Sequence, residues 1–385
     1  MKKNGKNILR IIYSAGFLFT IHTAFLAYIN SSFISKVVGD DYVGLVFTAG
    51  AILSIISLNK MPLILNRFGN VKTALFLMSL ELASLIGLAF FTAWFIVPLF
   101  VLHYALLILL KFNFDIFIEH FSSDKCTGGI RGAYLSLTSL AWVVSPIMVG
   151  AILTDSDFWK IYLISGLIIL PVMLIVYLNL RDVKDARYET PAFLKSIKEL
   201  YQNKNIYKIF SVSFLLQFFF AWMVIYTPIY LNQYMEFDWS KIGIIFTIML
   251  LPYALFEMPL GKIADKWFGE KEFLIAGILI AAGSTAIIPF INSESLVIWA
   301  ALLFTTRVGA SFIEVTTESY FFKQIDDSDA NIIGLFRNTR PLAYIISPLI
   351  ATVFLGFFAY KYLFLVLGII MLSGIYHALT LRDTK

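Results

Sequence analysis

Four residues of this chain are ionisable or strongly basic yet sit far inside apolar stretches: His22, Glu81, His103 and Arg307. An ionisable side chain at the centre of a bilayer costs at least about 2.5–3.5 kcal/mol on insertion scales, so each calls for a reason. Arg307 lies about twelve residues into its stretch. Glu314 and Glu318 follow seven and eleven residues later, and at 3.6 residues per turn both return to the same helix face. A guanidinium sharing a face with carboxylates can bind a polar solute, exchange partners with an ion, or fix its own helix through an internal ion pair. His22 and His103 can exchange protons near neutral pH, although a lone buried histidine often serves only packing. Asp115 and Glu119 form a second acidic pair with the same i,i+4 spacing as Glu314 and Glu318. All four stand near the ends of their stretches, where Lys72, Lys111, Arg131, Arg337 and Arg340 offer partners. Gln217, Asn232 and Asn30 supply further polar groups, and no sequence argument assigns Glu81 a role.

The elements that position these residues follow from composition. Of 385 residues, 59% are hydrophobic and 14% charged, whereas soluble domains carry about 45–50% and about 25%. So few polar residues cannot cover a water-soluble surface, and lipid is the implied solvent. A spanning helix needs roughly 20 mostly apolar residues. Twelve stretches qualify: 8–30, 43–65, 71–92, 94–118, 132–153, 158–180, 206–231, 242–263, 272–291, 295–318, 332–357 and 360–381. The first is too long for a signal-peptide core and no small-x-small cleavage site follows it, so it is expected to be retained. Residues 181–205 form the one long polar segment, expected to be a linker carrying an amphipathic helix. With the N-terminus in the cytoplasm, only Lys36, Lys160, Lys241 and Lys361 fall on the outside and Arg307 within a span. The remaining Lys and Arg lie on the cytoplasmic side. Both termini are therefore expected inside, in the cell membrane.

The chain repeats itself. Gly44-Leu-Val-Phe-Thr48 recurs as Gly243-Ile-Ile-Phe-Thr247, and Ser145-Pro146 as Ser347-Pro348. Asp115 and Glu119 recur as Glu314 and Glu318, at the same offset of about half the chain. The expected fold is all-α and integral to the membrane: two pseudo-symmetric six-helix bundles, 1–180 and 206–385, joined by 181–205. Same-orientation halves related by an axis along the membrane normal enclose a central cavity that can open to either side.

These features resemble the major facilitator superfamily over nearly the whole chain. Its loop signature, roughly G-x-L-A-D-R-x-G-R-K, is matched by Gly261-Lys-Ile-Ala-Asp265-Lys266-Trp-Phe-Gly269-Glu-Lys271. An eroded copy reads Pro62-Leu-Ile-Leu-Asn66-Arg67-Phe-Gly69-Asn-Val-Lys72, with Asn66 in the acidic place. The resemblance implies that these residues, with Glu119 and Glu318, form a cytoplasmic gate. It also implies that spans 1, 4, 7 and 10 line the cavity, which makes Arg307, Glu314, Asp115, His22 and Gln217 its candidate substrate or coupling residues, with Arg340 of the eleventh stretch as a further one. Ala141-x-x-x-Ser145-Pro146-x-x-Val149-Gly150 is similar to the pattern of proton-coupled antiporters in this superfamily, while Pro146, Gly150 and Pro348 also suit generic close packing or a bend. The implied function is secondary transport of a small solute by alternating access, coupled to protons or another ion, as a monomer. A non-transporting sensor or a lipid scramblase on the same fold is the alternative. No G-x-x-x-x-G-K-[ST], G-x-S-x-G or H-E-x-x-H occurs, so neither ATP drive nor hydrolytic chemistry is expected. No cofactor, metal site or nucleic-acid partner is expected either: Cys126 is the single cysteine and the basic charge is dispersed.

Overall fold

The computed structural model describes residues 3–91, 95–121, 127–153, 157–181, 203–266, 270–324, 336 and 339–382. The linker expected at 181–205 lies almost wholly outside these residues. The chain divides into two compact units, Met1–Thr190 and Pro191–Lys385.

The first unit contains α1 (Lys3–Ala27), α2 (Asn30–Val38), α3 (Val43–Phe68), α4 (Asn70–Phe90), α5 (Ile96–Phe121), α6 (Thr127–Ile152) and α7 (Phe158–Leu180). The second contains α8 (Lys204–Ile229), α9 (Trp239–Lys266), α10 (Glu270–Ile287), α11 (Leu296–Lys323), α12 (Thr339–Leu355), α13 (Leu363–Leu372) and α14 (Gly374–Leu379). No strand occurs among the described residues. Among the described residues ten segments are long and apolar enough to cross a membrane, with α1 and α2 together making the first and α13 and α14 the last. The stretches Leu137–Ile152 and Thr339–Leu355 are shorter apolar helices. Together these make the twelve expected spans. Large apolar side chains such as Leu63, Phe76, Leu167 and Phe357 stand on the outer surface. In water that surface would be a liability; against acyl chains it is the required one.

Both units pack their helices in the same order. In the first, α1 lies against α6 and α7, α3 against α5, and α4 against α5 and α7. In the second, α8 lies against α12 and the α13–α14 pair, α9 against α11, and α10 against α11 and α13. The repeat read from sequence is thus a repeat of packing. Without a hydrophobic drive between helices in lipid, close approach depends on small residues. At Gly368, a methyl group would lie 2.7 Å from the Ala282 carbonyl oxygen, so α13 can touch the α10 backbone only because that position is glycine.

One feature of the first span departs from a simple rod. The helix stops at Ala27 and resumes at Asn30, with neither proline nor glycine at the break. Across it, Ile29 N–H donates to Leu26 O at 3.2 Å and Phe33 N–H to Ile29 O at 2.9 Å. The break falls between two polar residues of this span, His22 and Asn30.

Candidate functional site

The interior of the first unit holds a polar cluster among otherwise apolar helices. His22 on α1, Glu81 on α4, His103 on α5 and Ser165 and Tyr162 on α7 have no solvent exposure, and Asn30 on α2 has 3%. His103 Nδ1 lies 2.7 Å from Glu81 Oε1. His22 Nε2 approaches the same oxygen at 3.4 Å, within ion-pair distance but without an aligned hydrogen bond. Glu81 Oε2 has no hydrogen-bond partner. On the far side of His103, Nε2 is 3.3 Å from Asn30 Nδ2, and the Tyr162 hydroxyl donates to Asn30 Oδ1 at 2.9 Å. On the far side of His22, Nδ1 is 3.1 Å from the Ser165 carbonyl and 2.7 Å from Ser165 Oγ.

Donor and acceptor chemistry then assigns protons. An amide nitrogen only donates, so His103 Nε2 is bare and Nδ1 carries the hydrogen that goes to Glu81. His22 Nδ1 meets the Ser165 carbonyl, which only accepts, and Ser165 Oγ, which can give its hydrogen either to Nδ1 or to the His22 carbonyl at 3.0 Å. Where Nδ1 carries the hydrogen, His22 Nε2 and Glu81 Oε1 meet lone pair to lone pair unless a second proton lies between them. With that proton present the cluster holds one carboxylate and one imidazolium and is neutral overall. Without it, one full negative charge is buried among helices in lipid, which is the expensive state.

A second buried charge lies in the second unit. Arg307 on α11 is 2% exposed. Its guanidinium carbon sits 5.2 Å from the Phe219 ring centroid and 5.3 Å from that of Phe220, both on α8. Its Nε has no hydrogen-bond partner, and among the described residues no carboxylate lies within ion-pair distance. The sequence placed Arg307 on one face with Glu314; the structure leaves Glu314 half-buried, engaged elsewhere, and not on Arg307.

The repeat makes the two units chemically unequal. One repeat after His22 comes Phe220, after Glu81 comes Ile280, and after His103 comes Leu302; one repeat before Arg307 is Ile108. The titratable cluster therefore has no counterpart in the second unit, and the lone guanidinium none in the first.

Solved structures share this architecture. A bacterial homologue of the human lysosomal transporter Spinster, in an inward-facing and unoccupied conformation, aligns with 98% of this chain and 95% of its own at 12% identity, with a TM-score of 0.72. The nucleoside transporter NupG aligns with 97% of this chain and 99% of its own, again at 12% identity and with a TM-score of 0.76. A bacterial metal transporter covers 97% of both chains at 12% identity, with a TM-score of 0.68. At that identity the likeness is one of fold. No curated protein sequence matches the chain. Residues 228–385, however, match the family model of the Major Facilitator Superfamily. That match lies within the second unit; over the first, the likeness to major facilitator proteins is one of fold.

The fold and its apolar spans are those of a multi-pass membrane protein. Of the residues expected at its gate, Asn66 and Arg67 are exposed at the end of α3, and the Arg67 guanidinium lies 5.2 Å from the Phe68 ring centroid. Gly69 has φ +82°, a conformation that disfavours any side chain, so this glycine of the loop signature has a backbone reason. Gly261, Asp265 and Lys266 end α9, and Glu119 lies on α5, but the side chains of these four are outside the described residues, as is all of Gly269. Lys271 is half-buried at the start of α10. Glu318 and Arg340 are exposed, with Arg340 5.8 Å from the Tyr344 ring centroid.

Asp115 is exposed on α5 and Gln217 half-buried on α8. Pro146 and Gly150 are buried within α6, and Pro348 within α12, where its carbonyl accepts the Tyr226 hydroxyl at 3.3 Å. His22, a candidate substrate or coupling residue, has no solvent exposure and lies inside the first bundle. Sequence reasoning missed two groupings. The first is Glu81 with its two histidines. The second is Asn70 with Asn113: the Asn113 amide donates to Asn70 Oδ1, and Asn70 Nδ2 donates to the Asn113 carbonyl at 3.3 Å. This neutral clasp ties the α3–α4 loop to α5.

Proposed function

We propose that this protein is a secondary active transporter driven by protons, which are carried by the Glu81 cluster of the first unit. One observation carries the reading: a carboxylate with no solvent exposure shares a single oxygen with two imidazoles, inside a bundle that spans lipid. Histidine is the side chain whose unperturbed charge change falls between about pH 5 and 8. Two of them on one buried carboxylate make a group that binds one proton to become neutral and releases it only when water can compensate the residual charge. The ionisable groups facing Glu81 come from each helix packed on it: His22 from α1, His103 from α5 and Tyr162 from α7 by way of Asn30. Turning the Asn30 amide over would place its oxygen on His103 Nε2, which could then hold the proton. The network thus accommodates either histidine as the charged partner. The interrupted first span, with His22 before the break and Asn30 after it, supplies a place where this exchange can alter helix geometry.

The remaining parts of the reading rest on the sequence: a monomer in the cell membrane with both termini cytoplasmic, and gate roles for the two loop copies with Glu119 and Glu318. Export by antiport fits the Ser145-Pro146 pattern of α6.

The test uses the full chain in proteoliposomes enclosing a pH indicator, challenged with a panel of small solutes with and without an imposed pH gradient. Wild type should move protons with at least one solute, and Glu81→Gln should lose the dependence on the gradient while still folding. Solute flux indifferent to the gradient, or a Glu81→Gln variant with wild-type proton movement, would overturn the assignment.

A further inference from the structure

We infer that Arg307 is the anchor of a site for an organic monoanion with an aromatic body, most simply an aromatic carboxylate. This deepens the transporter reading by naming a substrate class, and rests on that reading for its meaning in transport.

Arginine stays charged under any ordinary condition and carries five N–H donors. Arg307 is 2% exposed, yet its Nε–H has no acceptor and no described carboxylate pairs with it. A charge buried without a counter-charge is costly, and an orphaned hydrogen-bond donor adds to the cost. Evolution has several cheap ways to remove such a group, beginning with the isoleucine found one repeat earlier at Ile108. What the protein does provide is aromatic. Phe219 and Phe220 lie against the guanidinium. Tyr253 on α9 meets Phe220 edge-on at 6.1 Å between centroids. Phe304, three residues before Arg307 on α11, meets Phe256 of α9 edge-on at 6.3 Å. Cation–π contact with two rings softens the isolation of the charge but offers no oxygen to its donors.

The complement of this arrangement is a ligand with one carboxylate for the fork and a flat apolar body for the rings. A carboxylate accepts two parallel N–H bonds from one guanidinium, which a halide or a neutral amide cannot do. A dicarboxylate or a sugar phosphate would bring further charge or hydroxyls into surroundings that hold no second described cation beside Arg307. The single charge and the aromatic lining therefore select a monoanion. The three helices that build the site, α8, α9 and α11, all belong to the second unit, whereas the proton cluster lies in the first. Ion and solute would thus be held by different halves of the repeat.

The experiment is ligand protection against thermal unfolding of the full chain in detergent, which needs no flux. The probes are benzoate and phenylacetate, with benzamide as the neutral isostere, acetate as the carboxylate without a ring, and inorganic phosphate as the competing anion. Benzoate or phenylacetate should raise the midpoint in a saturable way at millimolar concentration, and benzamide and phosphate should not. Arg307→Gln should abolish the protection, and Arg307→Lys should weaken it by about tenfold, because lysine keeps the charge and loses the fork. If Arg307→Gln does not fold, Phe220→Leu decides: it should narrow the preference for benzoate over acetate. Equal protection by benzamide, protection by phosphate alone, no protection by either aromatic acid, or a Phe220→Leu variant with unchanged preference overturns the inference. A protein that binds benzoate but shows no proton-driven flux would refute the proton reading and leave this site standing.

Discussion

His103 Nδ1 and Glu81 Oε1 lie 2.7 Å apart, both with no exposure to solvent, on adjacent antiparallel helices of the first bundle. The pair is the firmest contact of the cluster, and its removal has a calculable consequence. His103→Ala leaves Glu81 facing only the looser His22 contact, and breaking one side of a buried pair costs about 3–5 kcal/mol. Replacing both members with apolar residues of similar volume, Glu81→Met with His103→Leu, should restore most of that stability. Thermal unfolding of the three proteins in one detergent checks this. A single variant as stable as wild type would mean that the contact contributes nothing to the fold.

Gly69 joins α3 to α4 with φ +82° and donates its N–H to Leu65 O at 2.8 Å. Any side chain there is held in a sparsely populated conformation, at a cost of about 1–3 kcal/mol. Gly69→Ala should therefore lower the unfolding midpoint, whereas Gly283→Ala, whose added methyl meets no atom within 4 Å, should be tolerated or slightly stabilising because alanine favours helix. Midpoints for the two variants in one buffer give the comparison. Equal midpoints would refute the backbone account of the loop glycine.

Such glycines, and the twelve spans, were legible in the sequence for a common reason: each is fixed by a local property of the chain. Span length follows from bilayer thickness, and the Gly69 conformation from a short turn. Arg307 was legible too, since one cation in a long apolar run needs no partner to be noticed. Glu81 was opaque because its meaning depends on three other helices, and nothing in the spacing of His22, Glu81 and His103 brings them to one point. The interruption at Tyr28 and Ile29 was equally hidden, as no proline or glycine marks it. Asn70 and Asn113 read as incidental polar residues until packing placed them on each other. The face shared by Arg307 and Glu314 was a correct inference about one helix, but their pairing was a question for the neighbouring helices.

Outside the membrane spans, Asp238 precedes α9 and accepts the Lys241 backbone N–H at 2.8 Å; the Lys241 ammonium stands 3.2 Å from its other oxygen. That backbone hydrogen bond, aided by Lys241, holds the Asp238 carboxyl below its ordinary range. A depressed carboxyl stabilises the fold above the unfolded value of about 3.9, and the contribution is lost as pH falls through the folded value. Asp238→Asn should therefore match wild type most closely at low pH and fall behind above about pH 4. Asp238→Ala should lose the helix cap at every pH, by about 1 kcal/mol. The exposed ion pair adds little to either. A pH series of unfolding midpoints for the three proteins settles the sign, and a wild-type advantage that grows on acidification would contradict it.

The last prediction concerns the division of labour between the units. If protons are held by Glu81 and its histidines and the organic anion by Arg307, the two functions should come apart by substitution. Glu81→Gln keeps an amide where the carboxylate stood, so the first bundle can still pack; benzoate protection should survive, and its pH dependence should flatten. Arg307→Lys should do the reverse, weakening benzoate while leaving proton uptake by the unliganded protein unchanged. Proton uptake can be read directly as the infrared difference between about pH 5 and about pH 8, the window in which histidine changes charge. Tight coupling requires a further result in wild type: bound benzoate should shift the proton-binding midpoint, and by reciprocity pH should shift benzoate affinity by the same free energy. That equality is the sharpest check, because two independent sites would each titrate without reference to the other. A wild-type protein in which both sites bind but neither shift appears would hold a proton and an anion without exchanging one for the other, and the transport cycle proposed above would fail at that step.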